Sequence, residues 1–328
     1  MPRIFTSVFS EPDDFQAGLS EEGVVRFLVT GHGQFRARLT QIVLHRLRLS
    51  AGEEELSRIA FVAVPAGMVL VALPIGGRPS PVWGGIEIRA GEIITLGPGQ
   101  RMHARIGGPC GWGAIQVPDQ DLVGYGRALT GAGFVVPSVA RWRPAPAAGR
   151  RLRHLHRAAI RMAEARSGVL TDGEAAHGLE QQLIHALVEC LSAGWVDEET
   201  PTARRHRGIL GPFEDLLHAE PLPRVTEICA ALGVSAQTLR ICCEEQLGMG
   251  PTEYIRRRRM QLVHRALRNG NPDGASISAV ARRYGFRDLG RFGASYRAVF
   301  GELPSVTLRR GLHPGMAHLV LRRPRSPL

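Results

Sequence analysis

At 328 residues and 44% hydrophobic content, the chain is long enough for two domains with packed cores. No apolar run reaches bilayer-spanning length, and Glu11, Asp13 and Asp14 arrive too early for a signal peptide, so a cytoplasmic location is expected and a membrane one is not. Charge is lopsided: residues 1–200 hold 20 Arg and 20 acids, whereas 201–328 hold 21 Arg and 10 acids and so carry the whole net +11, the footprint of a domain that neutralises phosphates.

From Gly23 to about Val117 the sequence reads as short strands between glycine and proline turns. Phe35, Ala37, Leu39, Val43, Leu47 and Leu49 share one parity, and Arg36, Arg38, Arg46 and Arg48 the other, which predicts a half-buried strand pair with one wet face. The runs 59–64 and 68–73, split by Pro65-Ala66-Gly67, predict a hairpin buried on both faces. Residues 86–88, 93–96 and 112–115 add strands, so an antiparallel β barrel or sandwich is expected. Residues 141–149, rich in Pro and Ala, are expected to be irregular. Helices follow over about 150–195, the first with Leu152, Leu155, Ala159 and Met162, the second with a stripe of Leu179, Leu183, Ala186, Leu187, Cys190 and Leu191. That stripe fits either packing against the strands or a homodimer contact. The polar segment 197–207, with Pro201, marks a linker. The chain is thus expected to be α+β: a β-rich sensing or dimerisation domain over 1–200, a linker over 201–212, an all-α domain over 213–310 and a flexible basic tail over 311–328.

The all-α domain contains one pattern twice. Ile228-Cys229-Ala230-Ala231-Leu232-Gly233-Val234-Ser235 with Leu239 is the first copy, and Val280-Ala281-Arg282-Arg283-Tyr284-Gly285-Phe286 with Phe292 the second. A small residue four before the glycine (Cys229, Ala281) lets two helices cross closely, and the glycine takes a left-handed turn. Flanking apolar residues plug the shared core. This is the grammar of a helix-turn-helix, whose second helix enters the DNA major groove. Ser235 is placed to cap the first recognition helix and Asp288 the second. With Leu239 and Cys242 facing inward, Ala236, Gln237, Arg240 and Ile241 are left to reach base edges, Gln suiting adenine and Arg guanine. In the second unit Phe292, Tyr296 and Phe300 face inward, leaving Arg287, Gly290, Arg291 and Ala294 for the groove and Arg297 for a phosphate. Between the units a helix over 252–268, opened by Pro251, carries Arg256 to Arg259. Four successive helical residues span most of the circumference, so Arg256 and Arg257 are assigned to DNA and Arg258 or Arg259 is expected to turn inward.

Further residues carry a family resemblance. Leu247-Gly248-Met249-Gly250-Pro251 with Tyr254, Tyr284-Gly285-Phe286, and Phe300-Gly301 with Pro304 resemble the DNA-binding domain of AraC/XylS-type bacterial transcription regulators over about 213–310. The resemblance implies two helix-turn-helix units joined by a linker helix, addressing successive major-groove segments of double-stranded DNA. It also implies activation with RNA polymerase as partner, a small-molecule effector and a homodimer. The strand-rich half is loosely similar to the family's cupin-like sensing domains. Ile241-Cys242-Cys243-Glu244 and Gly290-Arg291-Phe292 depart from the family's usual residues at the base-contacting helices.

The competing reading is an enzyme, or a thiol-based DNA-repair protein, that uses the helical domain for targeting only. It would need Cys110 or His103 as a working group. His32 and His45 are isolated, Gly91, Pro98-Gly99 and His103 give only a faint echo of a metal-binding turn, and the five cysteines show no C-x-x-C spacing, so neither metal nor cofactor is expected. Adjacent Cys242 and Cys243 point about 100° apart on a helix, which places one in the core. No catalytic residue is assigned. Phe61, Trp83 and Trp112 are available to line a ligand pocket, whose other residues the sequence leaves open.

Overall fold

The computed structural model describes residues 2–77, 79–131, 133–165, 168–219, 222–270, 274 and 276–312. The N-terminal part runs β1 (Arg3–Phe9), α1 (Pro12–Gly18), β2 (Val24–Val29), β3 (Ala37–Val43), β4 (Arg48–Glu54), β5 (Arg58–Ala63), β6 (Met68–Gly77), β7 (Val82–Trp83), β8 (Ile86–Glu87), β9 (Ile93–Leu96), β10 (Arg101–Ile106) and β11 (Cys110–Pro118). It continues with α2 (Asp119–Thr130), β12 (Val139–Arg143), α3 (Pro146–Glu164), α4 (Gly173–Ser192) and β13 (Trp195–Glu198). The C-terminal part is helical: α5 (Pro201–Leu216), α6 (Val225–Leu232), α7 (Ala236–Leu247), α8 (Pro251–Arg268), α9 (Ile277–Arg283), α10 (Leu289–Phe300) and α11 (Pro304–Leu312). The expected basic tail lies, from residue 313 on, outside the described residues.

The strands form two antiparallel sheets, ordered β1-β3-β4-β11-β6-β9-β12-β13 and β2-β5-β10-β7-β8. They pack as an open sandwich, and both sheets are covered on the outside as well. In β6, Leu70 and Ala72 point into the sandwich with Phe27, Val62 and Ile94, while Val69, Val71 and Leu73 point out to Leu183 and Leu187 of α4. In β5, Ala60 and Val62 point inward, whereas Ile59 joins Leu28, Phe213 and Leu239 beneath the C-terminal helices. A strand covered on both faces has no wet side, which explains the continuous apolar runs.

This layering corrects four expectations. The runs at 59–64 and 68–73 are buried strands but not a hairpin, because β5 pairs β2 and β10 in one sheet while β6 pairs β11 and β9 in the other. Pro65-Ala66-Gly67 is a corner between sheets. Parity likewise breaks between β3 and β4: Ala37 and Leu39 face the interior and Leu47 and Leu49 the helices. Residues 146–149 are the first turn of α3, opened by a proline whose missing N–H costs a helix nothing there. The segment proposed as linker is α5, capped by the Thr200 hydroxyl, which accepts from the Ala203 N–H at 3.2 Å, and it buries Leu210, Phe213 and Glu214. The apolar stripe of α4 is spent inside, with Leu183, Ala186, Leu187 and Cys190 fully buried against α3 and the larger sheet.

Candidate nucleic-acid interface

Each helix-turn-helix is built by the same local bonds. In the first, α6 stops at Gly233 (φ +64°), and the Val234 N–H reaches back to the Cys229 carbonyl at 3.1 Å. In the second, Gly285 has φ +90°, and the Phe286 N–H reaches the Ala281 carbonyl at 3.0 Å. The partner is in both cases the small residue four before the glycine, so these positions close the turn as well as the helix crossing. The Ser235 hydroxyl accepts from the Thr238 N–H at 3.0 Å and the Asp288 carboxylate from the Arg291 N–H at 3.1 Å, which starts α7 and α10.

Two separate cores support the units. Ile228, Leu239, Cys242, Cys243, Leu247, Tyr254 and Ile255 form the first, and Met260, Val263, Leu267, Val280, Ala281, Phe292 and Tyr296 the second. Helix α8 contributes its first half to one and its second half to the other, so it joins the two readers.

The outward face follows from that packing. Ala236, Gln237, Arg240 and Ile241 are exposed along α7, and Arg287, Gly290, Arg291, Ala294 and Arg297 are exposed along or just before α10. Arg240 is held by Glu244 at 2.7 Å within α7. Arg291 is 91% exposed and paired with Asp288 at 3.3 Å. Between the units runs a groove lined by Arg224, Arg256, Arg259, Arg287 and Arg291, with Asp288 as its one acid among the described residues. Arg256 spans it, its guanidinium donating to the Ser295 hydroxyl at 3.1 Å. Arg259 lies against the Gly285 turn, where a side chain on the glycine would meet its guanidinium at 3.2 Å. Five guanidiniums and the N-termini of α6 and α10 along one groove make a surface suited to a polyanion.

The structure divides the Arg256 to Arg259 run differently from the sequence reading. Arg256 faces the groove. Arg257 is turned to the sandwich instead, donating to the Thr30 carbonyl at 2.9 Å and to Glu253 at 2.7 Å. Arg258 is the inward one, 4% exposed and bonded to Gln261 at 2.9 Å, with burial lowering its pKa to about 10. Arg259 joins the groove, as does Arg224 from the start of α6. The sequence reading did not name Arg224, and it left open whether Arg258 or Arg259 turns inward. The signal for Arg224 was a lone arginine directly ahead of the first motif.

Beneath the first unit is a buried polar hub. The Glu214 carboxylate of α5 accepts from the Tyr254 hydroxyl of α8, lies 3.0 Å from His103 Nε2 of β10, and pairs with Arg26 of β2 at 2.9 Å without hydrogen-bond alignment. Burial opposes its charge, but His103, Arg258 and Arg26 outweigh burial and hold its pKa down to about 2. His103 is therefore engaged as a partner of Glu214.

The thiols are placed for packing. Burial pushes Cys110 and Cys190 up to about 12 and raises Cys243 further. Cys242 and Cys243 are both fully buried, because α7 packs on its own unit and also on β10. No cluster of three metal-ligating side chains occurs among the described residues. Inside the sandwich, Trp83, Trp112, Phe27, Ile88, Glu22 and Arg58 line a mostly apolar pocket; Phe61 does not reach it. Its charged lining residues are Glu22 and Arg58; Arg58 pairs with Glu54 at 3.0 Å, to which the Trp112 indole N–H donates at 2.6 Å. No helix among the described residues is long and apolar enough to cross a membrane.

Residues 228–310 match a family model described as a helix-turn-helix domain. The XylDLEGF operon transcriptional activator 1 of Pseudomonas putida is 37% identical over 97 residues, which are 30% of this chain and 28% of that one. The probable thc operon regulatory protein of Rhodococcus erythropolis is 30% identical over 133 residues, 38% of this chain and 40% of the relative. The chain thus matches less than half the length of each of these relatives. Among solved structures, that of the AraC-like transcriptional activator CuxR aligns over 86% of this chain and all of its own, at 18% identity and a TM-score of 0.43.

Proposed function

The last third of the chain belongs with the AraC/XylS-type helix-turn-helix domains, and on that premise we propose that the whole protein is a sequence-specific DNA-binding regulator of transcription, acting as a ligand-responsive activator in the cytoplasm. One observation carries this reading: a groove between the two helix-turn-helix units, lined by Arg224, Arg256, Arg259, Arg287 and Arg291, with the outward residues of α7 and α10 exposed. Ala236, Gln237, Arg240 and Ile241 then read one major-groove segment, and Gly290, Arg291 and Ala294 the next. Arg287 and Arg297 join the groove arginines on the phosphates between them.

The mostly apolar sandwich pocket with Arg58 and Glu22 in its lining supports a small amphipathic effector. RNA polymerase would be met from the DNA-bound state. A homodimer would pair through a surface other than the α4 stripe, which is buried within the chain. The enzyme or repair reading rested on Cys110 or His103; Cys110 is 8% exposed with its thiol pushed up to about 12 by burial, and His103 is buried against Glu214.

The test is recovery of genomic fragments by the purified full-length protein, then binding to the best site at several salt concentrations. Two short elements about one helical turn apart support the reading. Binding that is salt-sensitive but indifferent to sequence overturns it.

A further inference from the structure

The two readers meet the sandwich through different chemistry. The first shares a continuous apolar core with it: Leu28 of β2 and Ile59 of β5 pack with Phe213, Ile228, Leu239 and Leu247. The core of the second draws every member from residues 260–308 and none from the sandwich. What ties this side down is polar. Glu11 at the β1–α1 turn and Asp13 and Asp14 in the first turn of α1 meet the back of α8, opposite the DNA groove. His264 Nε2 lies 3.3 Å from Glu11, Arg265 Nη2 lies 2.7 Å from Asp13, and Arg268 Nη2 lies 2.5 Å from Asp14. Gln261 adds a bond to the Phe27 carbonyl at 2.7 Å, and Gly301 passes close to Gly33 and Gln34.

We propose that Glu11, Asp13 and Asp14 form an ionic latch that sets the position of the second reader against the sandwich, while the first reader is fixed by its shared apolar core. Partly exposed ion pairs are weak and screened by salt, whereas apolar burial is not. Helix α8 is anchored at its start by Tyr254 and Ile255 in the first core. Releasing the acids lets the helix tilt about that anchor and carry the second reader with it. The spacing between the two readers' DNA elements would then be set from the N-terminal part of the chain. This inference concerns where the readers sit, and it stands whether or not the protein regulates transcription.

The experiment is electron-spin distance measurement on the full chain with Cys229→Ala and labels at exposed positions. The pair Ser20→Cys with Ala298→Cys reports the second reader, and Ser20→Cys with Ala231→Cys the first. At low salt both distributions should be narrow. Raising salt to about 1 M, where the screening length falls to about 3 Å, should broaden only the Ser20–Ala298 distribution. Asp13→Arg with Asp14→Arg should broaden it at low salt, shifting the closed-to-open ratio about two- to fivefold per pair lost. Adding Arg265→Asp and Arg268→Asp, which returns the original net charge, should narrow it again. The proposal is overturned if the Ser20–Ala298 distribution stays narrow throughout, if both distributions broaden together, or if the charge swap fails to restore order. The salt series on the unmutated latch keeps the test decisive should the arginine variants not fold.

Discussion

Replacing Arg256 and Arg259 together by Ala removes two of the five guanidiniums in the groove between the readers. Each phosphate contact releases counterions and contributes about 0.9 to the slope of log affinity against log salt. Losing two should flatten the slope by about 1.8, so that over the tenfold span from 1 M to 0.1 M salt the variant forgoes a gain of about 60-fold. Neither side chain is structurally indispensable: Arg256 holds Ser295 and Glu253 at the surface, and Arg259 makes one 3.4 Å bond to the Leu222 carbonyl. Folding should therefore survive, which a thermal melt checks. The assay is fluorescence anisotropy of a labelled duplex titrated at four salt concentrations, on the best genomic site and on random DNA, where the change in slope should be the same. Arg151→Ala is the control, because Arg151 of α3 pairs with Glu189 of α4, outside both the groove and the contacts of α8, and should leave the slope alone. An unchanged slope in the double variant, or an equal change in the control, would refute the assignment of the groove to the phosphate backbone.

Arg291→Ala should cost about 1–3 kcal/mol on a specific site and relax preference at one base position; equal losses on specific and random duplexes would reduce Arg291 to a phosphate contact. Gly285→Val forces a β-branched residue to φ +90° against the Arg259 guanidinium and should cost about 1–3 kcal/mol, seen as a lower unfolding midpoint; an unaltered midpoint contradicts the turn geometry. Glu214→Gln leaves Arg26 and Arg258 buried without a carboxylate and should cost about 3 kcal/mol at pH 7 in urea unfolding. Because Glu214 is held down to about 2 from 4.5, its contribution is complete above 4.5 and fades as pH falls toward 2, so the gap between variant and parent should close over that window. His156 is fully buried with Nε2 at 3.1 Å from the Ser50 carbonyl, and burial lowers its pKa to about 4 from 6.5. Its folded state favours the neutral ring, so stability should be full above 6.5 and fall by about 3 kcal/mol as pH drops to 4; His156→Leu should flatten that portion of the pH profile, and a profile of unchanged shape counts against it.

Local chemistry alone determined the helix-turn-helix units. A glycine that must turn left-handed, a small residue four before it and a hydroxyl or carboxylate cap act within one or two helical turns, so Gly233, Ser235, Gly285 and Asp288 announce themselves in the sequence. Composition placed the positive charge on the same third of the chain, and periodicity found the helices of residues 150–195 and most strands. What it could not give is which strand meets which. The runs at 59–64 and 68–73 look like neighbours because they are adjacent in sequence, but burial on both faces is the same signal whether two strands share a sheet or face each other across a sandwich.

The partition of the arginines was equally a tertiary decision. Arg256 and Arg257 are one residue apart and chemically identical, yet the 100° between them sends one to the groove and the other to the Thr30 carbonyl. Cys242 and Cys243 are both in the core because α7 has a second neighbour, β10, that no helical wheel contains. Thr200 and Pro201 start a helix where polarity suggested a linker, since the apolar residues that hold it, Leu210 and Phe213, find their partners in Leu28 and Ile59 some 150 or more residues earlier. Likewise Glu11, Asp13 and Asp14 are only surface acids until the fold sets them against His264, Arg265 and Arg268. The sequence specifies what is closed by neighbouring residues; pairings across the chain exist only once burial has brought their partners together.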